Sequence, residues 1–230
     1  MIKLLKYIEN SIADFQEYLI RYKVASRLSK SKVKSKPKEQ QLDIYWSENF
    51  KKELNFWGHD NVWREIQLIF SSSSGTVVDM CCGTGGTIRQ LESNDSLEIF
   101  GFDISDYLIE EAINLGIPSK RLKVANAIST GYEDNFFDYS YSIGSLEHFT
   151  EKDIDLFLKE ARRITKKASF HQIPVAKDDT FNGWLELDQS YFNMPVEWWQ
   201  SRFEKYFDTV SVIESSWNDS ISYGKWFICR

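Results

Sequence analysis

Residues Val77 to Gly86 read VVDMCCGTGG: two valines, an acid and a methionine, then two cysteines, and three glycines among the last four positions. The apolar start reads as a buried strand, the glycines as a tight turn, and Thr87 to Glu92 as the helix that follows. A strand that ends in a Gly-rich turn and opens a helix turns backbone N–H groups and the positive end of the helix dipole toward one point. That point suits a polar or anionic ligand.

Working outward, strand and helix patterns alternate. Strands are expected at Thr76 to Met80, Leu97 to Asp103, Arg121 to Ala125, Phe137 to Ser142 and Ala168 to Pro174, with helices near Thr87 to Glu92, Asp106 to Leu115 and Lys152 to Thr165. Two short helices, Trp46 to Phe56 and Val62 to Phe70, precede them. After Asn193 the order changes: a helix, Pro195 to Phe207, is followed by strands Thr209 to Ser216 and Tyr223 to Cys229, whose connection is short enough to be antiparallel. The expected fold is α/β, a Rossmann-like, mostly parallel seven-stranded sheet with an antiparallel C-terminal hairpin strand and helices on both faces.

Two ligand classes use such a turn. A dinucleotide fingerprint, G-x-G-x-x-G, counted from Gly83 and Gly85, puts Ile88 at its third glycine, which weakens that reading. Asp103 ends the next strand, 20 residues after Gly83, where a carboxylate can accept both ribose hydroxyls. It supports a ribose without choosing between ribose-bearing ligands.

The alternative is S-adenosylmethionine. VVDMCCGTGG resembles the first motif of the class I S-adenosylmethionine-dependent methyltransferases, of the methyltransferase type 11/25-like kind, matching at Val77, Val78, Asp79, Cys82, Gly83, Thr84 and Gly85. It departs at Cys81, where the family usually has its first glycine; if that position needs a positive φ, the cysteine carries strain. Further on, VANAISTGYEDNFFDYSYSIGSLEHF, Val124 to Phe149, resembles the family's short acidic segment, its fourth strand starting at Asp138, and a closing L-x-H. The resemblance covers roughly Trp46 to Phe170 and implies S-adenosyl-L-methionine as cofactor. Its implied contacts are Tyr45, Asp79, Cys81, Gly83, Gly85, Asp103, Ile104, Asn126, Ala127, Ile143, Gly144 and Ser145. Asn126 and Ala127 fall at the adenine, Ile143 to Ser145 near the methionine part, and the Tyr45 hydroxyl within reach of the methionine carboxylate, unless Tyr45 is a packing anchor.

Methyl transfer from a sulfonium is an in-line displacement in which positioning contributes most, and a hydroxyl or amine acceptor gains from a nearby base. His148 is the candidate base, weighed against a loop in which Glu147 and His148 only cap and hydrogen-bond. His171, inside a strand, reads as an internal histidine, and His59 lies too far from the motifs to place. The aromatic and acidic segment Phe181 to Phe203 is the expected lid. It loosely resembles a stretch of methyltransferases acting on sugars or glycan precursors; Asp188 and Tyr191 are candidate acceptor contacts, and Trp198, Trp199 and Phe203 either stack on the acceptor or pack the helix. The expected function is methyl transfer to a small-molecule or glycan-precursor acceptor, with a non-catalytic module and a nucleic-acid methyltransferase as alternatives.

Length and composition agree with one catalytic domain: 230 residues, 42% hydrophobic and 15% aromatic, hold one sizeable core. The net charge of −6 hides an asymmetry, because Met1 to Lys38 carries ten Lys or Arg against three acids. An acidic body, residues 42–230, therefore follows an amphipathic helix and a basic linker, residues 1–41. The acidic body disfavours nucleic acid as partner, while self-association or a membrane surface through residues 1–38 stays open. Cys81, Cys82 and Cys229 have neither disulfide-framework nor metal-ligand spacing, so no metal is expected. The start of the chain lacks a secretory apolar core, and the expected location is the cytoplasm.

Overall fold

The structure, a computed structural model, describes residues 39–56, 62–186 and 189–230. The expected amphipathic helix, most of the basic linker, His59 and Asp188 lie outside them. After a 3-10 turn, Asp43–Trp46, the elements are α1 (Glu48–Phe56), α2 (Val62–Ile69), β1 (Gly75–Met80), α3 (Gly86–Leu91), β2 (Leu97–Asp103), α4 (Asp106–Asn114), β3 (Leu122–Val124), β4 (Phe137–Ile143), α5 (Glu151–Ile164), β5 (Thr165–Ala176), β6 (Gly183–Leu185), β7 (Tyr191–Asn193), α6 (Val196–Phe203), β8 (Val210–Asn218) and β9 (Ser222–Cys229).

Seven strands form one sheet in the order β3-β2-β1-β4-β5-β9-β8. β1 pairs in parallel with β2 and with β4, so the strand order reverses at its carboxyl end, where a doubly wound sheet opens a crevice. β5 continues in parallel from β4; β9 runs antiparallel to β5 and to β8. β9 thus opposes every other strand of the sheet. The sheet is the expected one.

β1 shows why the valines are adjacent. Val77 packs into the core layer with Ile66, Ile88 and Ile99, while Val78 and Met80 pack into the opposite layer with Phe157, Leu158 and Phe203. A strand buried on both faces is apolar throughout rather than alternating, and each such side chain contributes about 1.5–3 kcal/mol on burial. α5 shows the amphipathic case: Ile154, Phe157, Leu158, Ala161 and Ile164, spaced by three and four, are all fully buried. Thr150 starts it by accepting the Asp153 N–H at 3.2 Å.

Several elements differ from the expectation, β5 among them, which runs from Thr165 to Ala176 rather than from Ala168 to Pro174. The first helix begins at Glu48, because Ser47 is extended and the residues before it form their own turn. β3 is three residues long. α6 ends at Phe203, where the Glu204 and Phe207 N–H groups close a turn instead of continuing the helix. The expected lid contains a two-stranded antiparallel ribbon, β6 with β7, which pairs Trp184 with Phe192; three-residue strands leave too little alternation to be seen in sequence.

Candidate functional site

The turn after β1 is built from left-handed residues: Cys81 has φ +67°, Gly83 +52° and Gly85 +71°. Cys81 is thus a non-glycine residue held where glycine is the unstrained choice. The turn is pinned by Cys82 N–H donating to Phe102 O at 2.9 Å and Gly85 N–H to Cys82 O at 2.8 Å. Glycines at two neighbouring positions let it sit close. A Cβ on Gly101 would meet Ile88 Cδ1 at 2.5 Å and Cys82 Sγ at 2.9 Å, and one on Gly85 would meet Ile117 Cδ1 at 2.2 Å.

Asp103, at the end of β2, is 6% exposed and ties this turn to α4. Its Oδ2 accepts the Gly83 N–H at 2.9 Å and its Oδ1 accepts the Ser105 N–H at 3.0 Å. Burial raises its pKa, opposed by the N–H groups of Ser105, Gly83 and Ile104. Each oxygen keeps a lone pair for a ligand. Asp79 is placed differently: its carboxylate takes the Thr87 hydroxyl at 2.5 Å, and burial pushes it up to about 7. It fastens α3 to β1 beneath the turn. Burial also raises the thiols of Cys81 and Cys82, which stay protonated and free.

These residues open into a cavity of about 310 Å³, the size of a small-ligand site. Eleven of the twelve expected cofactor residues line it: Tyr45, Asp79, Cys81, Gly83, Asp103, Ile104, Asn126, Ala127, Ile143, Gly144 and Ser145. Gly85 does not; its φ and its packing against Ile117 shape the turn from behind. The Gly144 N–H is already given to Gln172 O at 3.1 Å, and Asn126 Oδ1 accepts the Ile128 N–H at 3.1 Å. The Gly144 N–H is therefore committed to the sheet.

A strap closes one side. Tyr45 is held by hydrogen bonds of its hydroxyl with Gln189 and Gln40, and burial raises its pKa further than any other influence. Its carbonyl accepts the Ser105 hydroxyl at 2.8 Å, and the neighbouring Trp46 Nε1 donates to Asp106 Oδ1 at 2.8 Å.

The other end of the cavity is formed by the turn Leu146–His148. His148 Nδ1 lies 2.9 Å from Ser190 O. A carbonyl only accepts, so Nδ1 carries the hydrogen and Nε2 keeps its lone pair. Burial pushes this histidine down to about 4, and it is neutral at neutral pH. Nε2 stands 3.7 Å from Glu147 Oε1. Glu147 is 3% exposed, its Oε2 has no hydrogen-bond partner, and burial pushes it up to about 8. His148 thus anchors the 190 loop and keeps an unprotonated Nε2 at the cavity.

Tyr191 lines the cavity, with its hydroxyl 3.4 Å from Ser222 Oγ. Trp199 and Phe203 are fully buried, and Trp198 lies 4.0 Å from the Arg202 guanidinium, so the aromatic run of α6 packs the helix. His171 is internal, bonded to Ser142 at 2.8 Å and Ser169 at 2.7 Å. Sequence reasoning missed Phe50, Glu53, Gln189, Trp217 and Asp219, which also line the cavity. They arrive from α1, from the 189 loop and from the β8–β9 hairpin, regions without a motif. Among the described residues lining the cavity there is no Lys or Arg, no three His, Cys, Asp or Glu cluster to hold a metal, and no described helix is long and apolar enough to cross a membrane.

A doubly wound sheet whose glycine turn, buried acid and cavity meet at the switch point is the arrangement in which such folds bind ligands. Residues 77–168 match the methyltransferase domain family, and this match together with methyltransferase relatives supports a class I S-adenosylmethionine-dependent methyltransferase family. It is 30% identical over 116 residues, 47% of this chain and 43% of the relative, to O-methyltransferase resE of Aspergillus sclerotiorum. It is 27% identical, over 81% of this chain and 46% of the relative, to a tRNA (carboxymethyluridine(34)-5-O)-methyltransferase of Arabidopsis thaliana. The chain spans less than half the length of these relatives. The fold is shared with the PH0226 protein of Pyrococcus horikoshii, with a TM-score of 0.59 at 18% identity over 83% of this chain and 97% of that one. It is shared too with Haemonchus contortus phosphoethanolamine N-methyltransferase 2, a structure holding S-adenosylhomocysteine, with a TM-score of 0.58 at 16% identity over 78% and 56%.

Proposed function

We propose that the chain transfers a methyl group from S-adenosylmethionine to a hydroxyl or amine of a small-molecule or glycan-precursor acceptor. The observation that carries this reading is Asp103, fixed by Gly83 and Ser105 with a lone pair left on each carboxylate oxygen. Vicinal ribose hydroxyls fit that pair. The cradle beside it fits as well: Gly83 is left-handed, and a Cβ there would come within 3.1 Å of Leu54. Asn126, Ala127, Tyr45 and Gln40 all line the cavity, and in this reading the first two face the adenine and the last two the amino-acid carboxylate. A dinucleotide fits less well, because the third glycine of its fingerprint is replaced by Ile88, fully buried against β2.

The bound cofactor supplies a methyl group activated by a positively charged sulfur. The chain supplies position. His148 Nε2, unprotonated at neutral pH with its ring set by Ser190, accepts a hydrogen bond that orients the acceptor's hydroxyl or amine.

Calorimetric titration with S-adenosylmethionine, S-adenosylhomocysteine and NAD tests the cofactor. Saturable binding of the first two and not the third is expected; binding of NAD alone overturns the reading. Turnover with an acceptor from a cell extract excludes a non-catalytic module. The tRNA-modifying relative gives the nucleic-acid reading its one observation. That reading requires salt-sensitive RNA binding that disappears when residues 1–38 are deleted.

A further inference from the structure

The end of the cavity formed by the turn Leu146–His148 leaves one buried group unexplained. Glu147 lines the cavity, is 3% exposed and has an oxygen with no partner, a costly state for a buried polar group unless a ligand relieves it. Beside it, His148 Nε2 is a second acceptor whose lone pair is not consumed within the protein, since it stands 3.7 Å from the nearer Glu147 oxygen. A hydroxyl has one hydrogen to give, whereas an ammonium has three, aimed in different directions.

Charge narrows the choice. Glu53, Asp79, Asp103, Glu147 and Asp219 line the cavity, and no Lys or Arg among the described residues does. A phosphate or carboxylate carried in by the acceptor would be desolvated among acids with no cation to receive it. Phe50, Tyr191 and Trp217 are among the residues lining the cavity, and aromatic rings can attract cations.

We infer that the cavity end formed by Glu147 and His148 binds a small amine bearing no phosphate or carboxylate, received as its ammonium by the Glu147 carboxyl; this rests on the methyltransferase reading and names its acceptor class. The groups facing Glu147 are His148, Cys81 and Tyr191, none of them cationic at neutral pH. An ammonium entering next to the uncharged acid displaces its proton to solvent, leaving a carboxylate–ammonium pair. Return of one N–H proton to that carboxylate then gives a neutral amine with a free lone pair and an uncharged acid, so charge is conserved within the pair. Burial, which favours the uncharged form of Glu147, favours this return.

The test uses the full chain saturated with S-adenosylhomocysteine, titrated calorimetrically at pH 7 with 2-phenylethylamine, 2-phenylethanol and 3-phenylpropionate, in two buffers of different ionisation enthalpy. The amine should bind at least ~10-fold more tightly than the alcohol, with the carboxylate not binding, and should release about one proton. Glu147→Gln should lose both the preference and the proton release while keeping its affinity for S-adenosylhomocysteine, which also reports that the variant is folded. Equal binding of alcohol and amine, binding of the carboxylate, proton release that survives in the variant, or no binding by any of the three overturns the inference. Failure of S-adenosylhomocysteine itself to bind is a different result, and it overturns the methyltransferase reading instead.

Discussion

The two ends of the cavity each hold a buried carboxyl, and the two are satisfied in opposite ways. Asp103 is 6% exposed and spends its oxygens on backbone N–H groups from the glycine turn and the start of α4. Glu147 is 3% exposed and leaves one oxygen with no partner. Burial favours the protonated form of both, but only Asp103 is compensated by N–H groups on neighbouring elements. One end of the cavity is therefore organised before any ligand arrives, and the other has a place still to be filled.

The largest effect should come from breaking the organised end. Asp103→Ala strips the Gly83 and Ser105 N–H groups of their acceptor as well as removing the ribose contact. Affinity for S-adenosylmethionine should fall on the order of 100-fold or more, measured by calorimetry. Normal binding by this variant would show that the carboxylate does not hold the ribose, and the contrast with Glu147 would lose its meaning.

The unfilled end is tested by pH. In the folded chain Glu147 is raised to about 8 from an ordinary 4.5. Between these values the unfolded chain holds fewer protons than the folded one, so this residue makes stability fall as pH rises from about 4.5 to 8. His148, lowered to about 4 from 6.5, acts the other way: the unfolded chain binds the extra proton, and stability falls as pH drops through that window. The Tm of Glu147→Gln relative to the parent should therefore climb from pH 5 to pH 8. A flat difference would mean that Glu147 is ionised in the folded state, like an acid with adequate partners.

The same two ends differ in how far the sequence disclosed them. Val77, Val78 and the glycines that follow announce β1 and its turn because a doubly buried strand and a left-handed loop each demand particular residue types. Asp103 is legible for the same reason, as an acid at a fixed distance after the turn. The other end has no such signature. Trp217 and Gln189 reach the cavity through β8 and a loop far along the chain, and their placement depends on how β9 reverses against β5. Glu147 reads as an ordinary loop acid until its burial is known. Trp198 and Trp199, conspicuous in sequence, prove to be packing, since hydrophobic bulk alone does not say which face of a helix meets ligand.

The smallest effect sharpens the comparison within the organised end. Cys81 holds φ +67° although it carries a Cβ, between a strand and glycines that adopt the same region freely. A non-glycine residue there costs about 1–2 kcal/mol, and glycine's greater freedom in the unfolded chain takes back part of the gain on substitution. Cys81→Gly should therefore stabilise the chain by about 1 kcal/mol, raising Tm by roughly 2–4 °C for a domain of this size. Affinity for S-adenosylmethionine should be unchanged or slightly higher, because the turn already holds its N–H groups in place through Phe102 and Asp103. A loss of stability on this substitution would mean that the cysteine's packing outweighs its backbone strain, and that the turn is fixed by its side chains as much as by the hydrogen bonds to β2.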